Sequence, residues 1–232
     1  MIATALSLVA AFVGGFLLWN LFEYLLHRFA MHELHGKGIM SREHLNHHIA
    51  AGWTFSYLHL LSWAGMLLVG FVLWMPLGWV TVSLAFGITV AVGWTAGYFF
   101  YEFQHAQSHL RAPKTRYQSW LRKHHFHHHF GHPMSNHGVT GIVWDWAFGT
   151  LEVPQQVRVP RRMAQPWMLG EDGELKEEFT ADYVLVGSVT TTSERQTQLD
   201  KARAFASIAP DADPEPELES EPAPEGSVLT PH

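Results

Sequence analysis

Histidine is the residue type that carries the chemistry of this chain: 17 of its 232 residues are His and none is Cys. Without Cys there is no disulfide framework, no thiolate zinc site, no Fe–S cluster and no Cys nucleophile. Imidazole and carboxylate remain as metal ligands. The histidines gather in four places: His27 and His32; His44, His47 and His48; His105 and His109; and His124, His125, His127, His128, His129 and His132, followed by His137. On a helix, residues at i, i+3 and i+4 share a face, so His44, His47 and His48 aim three imidazoles at one point, and His105 and His109 aim two. The last cluster offers two such registers, His124/His127/His128 and His125/His128/His129. His27 and His32 are five apart, about 140° round an ideal helix, and converge only if the helix ends or bends between them. At this His content the pattern His-x-x-His-His is expected about 0.1 times per chain, and it occurs three times.

Carboxylates stand beside these clusters. Glu23 precedes His27 by one turn, Glu43 precedes His47 by one turn, and Glu102 precedes His105 by three residues. A metal-bound imidazole usually gives its other N–H to a carboxylate or carbonyl, so the three acids read as supports for the rings. The competing reading is charge at helix ends. A thiolate-free, imidazole-rich site suits Fe, Zn, Cu or Ni, and ten or so ligands exceed what one ion uses, which favours two metals close together. Redox-active iron fits a site at a membrane surface, where the C–H bonds of a lipid tail yield only to activated oxygen.

The elements that must position these rings are apolar. Residues 1–22 contain no charged side chain, a length that matches the roughly 20 residues of a membrane-spanning helix. A signal peptide is disfavoured, because neither a basic leading segment nor a small-residue cleavage site is present. No Asp, Glu, Lys or Arg lies between Glu43 and Glu102, room for two spans joined by a turn at Met75-Pro76-Leu77-Gly78 between Trp74 and Trp79. Spans are expected near 2–22, 56–75 and 79–101, with a fourth, shallow or interfacial helix around 139–149. All Lys and Arg lie at position 28 or later and none between 43 and 110, so the positive-inside tendency puts 23–55 and 102–232 on the cytosolic side. The expected fold is an all-α, multi-pass integral membrane protein. About three to four transmembrane helices would carry a cytosolic helical cap with a histidine-rich dimetal site, the C-terminus lying on the same side.

Composition divides the chain into a membrane-embedded domain over 1–154, a short extension over 155–189, and an acidic, Pro-rich tail over 190–232 that reads as disordered. Within the extension, Tyr183-Val184-Leu185-Val186 reads as a short strand. The net charge is −6, and the seven acids beyond Pro210 more than account for it. Deleting 206–232 is expected to leave activity nearly unchanged, since no histidine cluster lies there. The charge pattern points to no nucleic-acid partner, and the oligomeric state stays open.

As a set, these motifs resemble the fatty acid hydroxylase/sterol desaturase superfamily of membrane di-iron oxygenases. The resemblance rests on Glu23-Tyr24-Leu25-Leu26-His27-Arg28 with His32, on His44-Leu45-Asn46-His47-His48, and on His105 to His109. It also rests on the spacing from His125 through His128 and His129, followed by Gly138-Val139-Thr140 and Trp144-Asp145-Trp146-Ala147-Phe148-Gly149-Thr150. It covers about residues 15–150. It implies ten ligands: His27, His32, His44, His47, His48, His105, His109, His125, His128 and His129. His125 is preferred to His124 on the distance to Gly-Val-Thr, with His124 and His127 as alternates. His127 and His132 otherwise read as surface or supporting residues, His137 stays open, and His35 and His59 match no motif. Asn136 and Asp145 join Glu23, Glu43 and Glu102 as supports behind the ligands. The resemblance further implies two iron ions (zinc being accepted by the same imidazoles), O2, and insertion of oxygen into a C–H bond of a fatty acyl, ceramide or sterol lipid. Electrons would come from NAD(P)H through a separate carrier, a b-type cytochrome or a ferredoxin with its reductase. The alternatives are a carotenoid hydroxylase or lipid desaturase on the same site and, from another class, a non-redox zinc-binding membrane protein or a metal transporter. Transport is disfavoured by the lack of charged residues inside the spans.

Overall fold

Alternating apolar runs and histidine-bearing polar segments give a helical bundle with a polar cap. A computed structural model of the chain describes residues 2–187 and 193–210. Helix α1 (Ile2–Leu25) continues through a π-helical segment, Leu26–His32; α2 is Ile39–Ala50 and α3 is Tyr57–Val69. A second π-helical segment, Gly70–Trp74, joins α3 to α4 (Met75–Thr81), and α5 runs Leu84–Leu110. Then come α6 (Arg116–Phe130), α7 (Val143–Phe148), strands β1 (Val157–Pro160) and β2 (Tyr183–Val186), and α8 (Glu194–Phe205).

Three continuous helical stretches, Ile2–His32, Tyr57–Thr81 and Leu84–Leu110, are long and apolar enough to cross a membrane. Their outer faces leave Leu6, Val9, Leu61, Leu68 and Val80 more than half exposed, a surface that water does not favour and a lipid environment does. The inner face of α1 carries Ala11, Gly15, Trp19 and Glu23 at a spacing of four. This stripe lies against α5. A Cβ at Gly15 would strike the Val90 carbonyl and one at Gly93 the Phe12 carbonyl, so the two backbones touch where both residues lack a side chain. Below that crossing, the Trp19 ring meets the edges of Trp94 and Tyr98 at 5.1 and 4.9 Å.

The expected turn at Met75–Gly78 is not a turn. Helix α4 runs through it, and the chain reverses at Val82–Ser83, with the Ser83 side chain accepting from the Phe86 N–H to start α5. Pro76 follows directly on the wide π-helical segment and occupies the first turn of α4, where its missing N–H and its ring cost least.

Residues 157–187 form a small layer of two strands and short 3-10 turns against α6, an addition to the expected all-helical architecture. Strands β1 and β2 pair in parallel, Val157 opposite Tyr183 and Val159 opposite Leu185. Val157, Val159, Met168, Trp167, Phe179 and Tyr183 share one apolar core with Phe126 and Phe130 of α6. The expected strand over Tyr183–Val186 is present. The expected disorder from residue 190 does not hold for Glu194–Phe205. The Ser193 side chain caps α8 by accepting from the Gln196 N–H, and Asp200 forms a two-pronged pair with Arg162 at 3.0 and 2.7 Å. Average composition misses this helix because it is held by one buried ion pair and a few contacts rather than by an apolar face. The rest of the tail, 190–192 and 211–232, lies outside the described residues.

Candidate metal centre

Ten histidines converge at one end of the bundle in two groups. His27, His32, His44, His48 and His128 form one; His47, His105, His109, His125 and His129 form the other. Within each group one ring nitrogen per residue lies within 4.8 Å of all the others. These are the ten positions that the resemblance implies. The groups abut, with the His48 and His129 rings stacked at 4.1 Å.

Local backbone geometry explains the convergence. His27 and His32 could not share a face on an α-helix, but residues 26–32 form a π-helix, whose i→i+5 hydrogen bonding sets residues five apart one turn from each other. Their ring centroids are 5.3 Å apart. Helix α2 supplies His44 and His48 to one group and His47 to the other. It ends at Ala51 in the left-handed conformation (φ 49°), and the carbonyls at this turn face the site. The Ala51 carbonyl accepts from His109 Nδ1 at 3.2 Å and the Gly52 carbonyl from His47 Nδ1 at 2.8 Å. The end of α5 presents His105 and His109, and α6 presents His125, His128 and His129.

Four rings have their tautomer fixed by such carbonyls. His27 Nδ1 donates to the His137 carbonyl (2.5 Å) and His128 Nδ1 to the Ser135 carbonyl (2.7 Å), alongside His47 and His109. A carbonyl only accepts, so the proton sits on Nδ1 and Nε2 keeps its lone pair. Those Nε2 atoms face other Nε2 atoms. His27 lies 3.0 Å from His44; His128 lies 3.0 Å from His32 and 3.1 Å from His48; His47 lies 3.0 Å from His105; and His109 lies 2.9 Å from His125. His44 Nε2 also meets His32 and His48, at 2.9 and 3.1 Å. One Nε2 can donate at most one proton, so hydrogen bonds alone cannot satisfy this array. Both ring nitrogens of buried His129 and Nδ1 of buried His125 have no partner among the described residues. Two nitrogens each about 2.1 Å from a cation, the usual length of an imidazole–metal bond, and at right angles to one another are about 3.0 Å apart. The donor set therefore fits one first-row metal ion per group. Burial lowers the pKa of His44, His48, His125, His128 and His129, and brings His47 to about 4. The rings are thus neutral at pH 7, as ligation requires.

The remaining predicted residues separate by what they touch. His124 is not in either group: its Nε2 donates to Asp145 Oδ2 at 3.3 Å. His127 Nε2 and His132 Nδ1 grip the two oxygens of Glu152, at 2.7 and 2.5 Å. Asp145 also accepts from the His137 and Gly138 N–H groups and the Thr150 hydroxyl. Burial raises its pKa, but the donors outweigh this and hold it below the ordinary carboxylate value. Asp145 thereby fixes the loop whose His137 carbonyl orients His27. Asn136, at φ 56°, locks the same loop by accepting from the Glu152 N–H and donating to the Glu152 carbonyl.

Glu23 lies beneath this loop and accepts from Val139 N–H (2.6 Å), Thr140 N–H (2.8 Å) and the Thr140 hydroxyl (2.6 Å). It supports the loop, not the His27 ring. Glu102 accepts from the Tyr98 hydroxyl at 2.7 Å. The sequence expectation of Glu43 as a support meets a different geometry: Glu43 is exposed, and the His47 N–H it would have taken is given to Gly52. His137 contributes its carbonyl and a buried ring 5.4 Å from both His27 and His128. Sequence reasoning missed the carbonyls of Ala51, Gly52 and Ser135, because every residue has a carbonyl and spacing cannot select one. It also missed Glu152, which meets its histidines only through the fold, and Ser207, whose hydroxyl lies 3.3 Å from His32 Nδ1 although it falls in the segment 206–232 that the sequence reads as dispensable.

Comparison with known proteins adds an independent line. The chain is 36% identical over 148 residues to fatty acid 2-hydroxylase from Homo sapiens, covering 60% of this chain and 39% of that protein. It is 32% identical over 151 residues to a dihydroceramide fatty acyl 2-hydroxylase from Arabidopsis thaliana, 63% of this chain and 61% of that one. A ceramide very long chain fatty acid hydroxylase from Schizosaccharomyces pombe is 27% identical over 150 residues, 61% and 42% of the two chains. The matched region spans about two fifths of the length of the human relative. No solved structure matches the chain. The fatty acid hydroxylase family profile matches residues 12–150, which is more than half of the chain and includes every residue of both histidine groups; the chain belongs to the fatty acid hydroxylase family.

Proposed function

We propose that this chain is a membrane-bound di-iron oxygenase that hydroxylates a lipid acyl chain, at the 2-position of a fatty acyl or ceramide acyl group. The observation that carries this reading is the pair of abutting, buried groups of five imidazoles at the foot of apolar helices. Named relatives that hydroxylate fatty acyl or ceramide lipids support the substrate class.

Iron bound there would supply O2 activation, with the balance R–H + O2 + 2 e⁻ + 2 H⁺ → R–OH + H2O and the electrons drawn from NAD(P)H through a separate b-type cytochrome or ferredoxin. The chain's own residues have four tasks. The ten histidines hold the ions as neutral ligands. The carbonyls of His137, Ser135, Gly52 and Ala51 fix which nitrogen of each ring faces inward. Asp145, Asn136 and Glu23 hold the loop 136–140 that carries part of this scaffold. The apolar helices offer the acyl chain a route that excludes water. By the charge distribution, the metal centre and the C-terminus face the cytosol.

Lipid mass spectrometry of cells with and without the gene tests this. Acyl lipids one oxygen atom heavier, hydroxylated at the 2-position, are expected only with the gene. Unchanged lipids in iron-loaded membranes supplied with reductant would reject the reading.

A further inference from the structure

The segment that reaches the metal centre from the C-terminal side lies beyond residue 150, where the family match ends. Ser207 Oγ is 3.3 Å from His32 Nδ1, with His32 fully buried and Ser207 6% exposed. Two residues before it, Phe205 lies against the same turn of chain: its carbonyl accepts from His35 Nδ1 at 3.2 Å, and its ring fills the space beside Gly36. Helix α8 is anchored by the Arg162–Asp200 pair, whose side chains are 2% and 3% exposed; within the helix, Gln196 donates to the same carboxylate at 2.9 Å. Asp200, Ala204 and Ile208 line a narrow crevice with His48 and His129, one histidine from each group.

We propose that Ser207 is a positioning residue of the metal centre, accepting the Nδ1–H of His32 so that His32 Nε2 is held toward its group, with helix α8 as the arm that carries it. The proposal rests on the metal-binding reading above. His32 differs from His27, His47, His109 and His128 in that, among the described residues, its Nδ1 meets no backbone carbonyl, and a hydroxyl supplied from 175 residues away takes that place. Ser207 sits at φ 54°, a conformation that a non-glycine residue adopts at a cost, and its strained backbone places the hydroxyl at the ring.

That strain provides the test. Ser207→Gly removes the acceptor while relieving the backbone, so a purely structural role predicts no loss. Full-length protein in detergent is loaded with ferrous iron and challenged with a graded chelator, and the thermal midpoint of the metal-free protein is measured in parallel. Ser207→Gly is expected to weaken retention of one of two ions by roughly 10–100-fold, as loss of such a partner typically does, with the metal-free midpoint unchanged or higher. Ser207→Asn, which tolerates positive φ and brings a carbonyl acceptor, is expected to restore retention at least in part. Parent-like iron retention in Ser207→Gly, a fall in the metal-free midpoint that accounts for the loss, or equal losses in both variants would overturn the inference while leaving the metal centre intact. A parent protein that holds no iron would instead take down the metal-binding reading on which the inference stands.

Discussion

Asp145 and Glu152 draw His124 and His127 of the last cluster away from the two histidine groups. Spacing alone left two registers over residues 124–129. The fold separates them because Asp145 draws His124 to one side and Glu152 draws His127 to another, leaving His125, His128 and His129 inward. Replacing His128 with Ala is therefore expected to lower iron from two ions per chain toward one. His124→Ala should keep both ions and cost about 1–3 kcal/mol of stability, because a buried carboxylate loses a donor. Elemental analysis and denaturant melts read the two effects, and loss of iron in His124→Ala would reverse the register. The histidine clusters were legible in the sequence, three of them at helical spacing, while the set of ten and the register of the last cluster came from the family resemblance. The carbonyls and the Ser207 hydroxyl behind them were not legible, since no residue type marks them.

At the level of elements, the π-helical segment does what an α-helix cannot. Inserting an Ala after Ala30 would set His32 six residues from His27, past the one-turn spacing that the π-helical segment provides, and swing it off the shared face. Iron in the His32 group is expected to fall while circular dichroism keeps its helical signal; two ions retained would contradict this account of the segment. The crossing of α1 and α5 is equally specific. Gly93→Val places a branched side chain where the Phe12 carbonyl lies, and is expected to destabilise the bundle by about 1–3 kcal/mol, read as a lower unfolding midpoint in detergent. The spans were legible as uncharged runs, but Pro76 suggested a turn that the structure places at Val82–Ser83. The reason is that a π-helical segment before Pro76 lets the helix continue. Helix α8 escaped notice because an ion pair with Arg162 and a few contacts at its end hold it to the body, signals too short to rise above an acidic tail.

For the molecule as a whole, burying so many imidazoles makes the metal-free state sensitive to acid. His47 has a pKa of about 4 in place of 6.5 because burial disfavours its charged form. Unfolded chains bind the proton near pH 6.5 and the folded chain resists it, so this stability is complete above about pH 6.5 and is lost as pH falls toward 4. Chemical denaturation of the metal-free protein is expected to give lower stability at pH 5 than at pH 7.5, by order 1 kcal/mol or more; equal values would contradict the burial of these rings. The same logic unites the account: apolar helices bring four stretches of chain to one end of the bundle, and neutral rings wait there for cations. Elemental analysis of the purified full-length protein, loaded with ferrous iron and then desalted, tests this most directly. Two iron ions per chain, one of them lost with His44→Ala and one with His109→Ala, is the predicted result. A chain that holds no iron, or that keeps both ions in either variant, would contradict it.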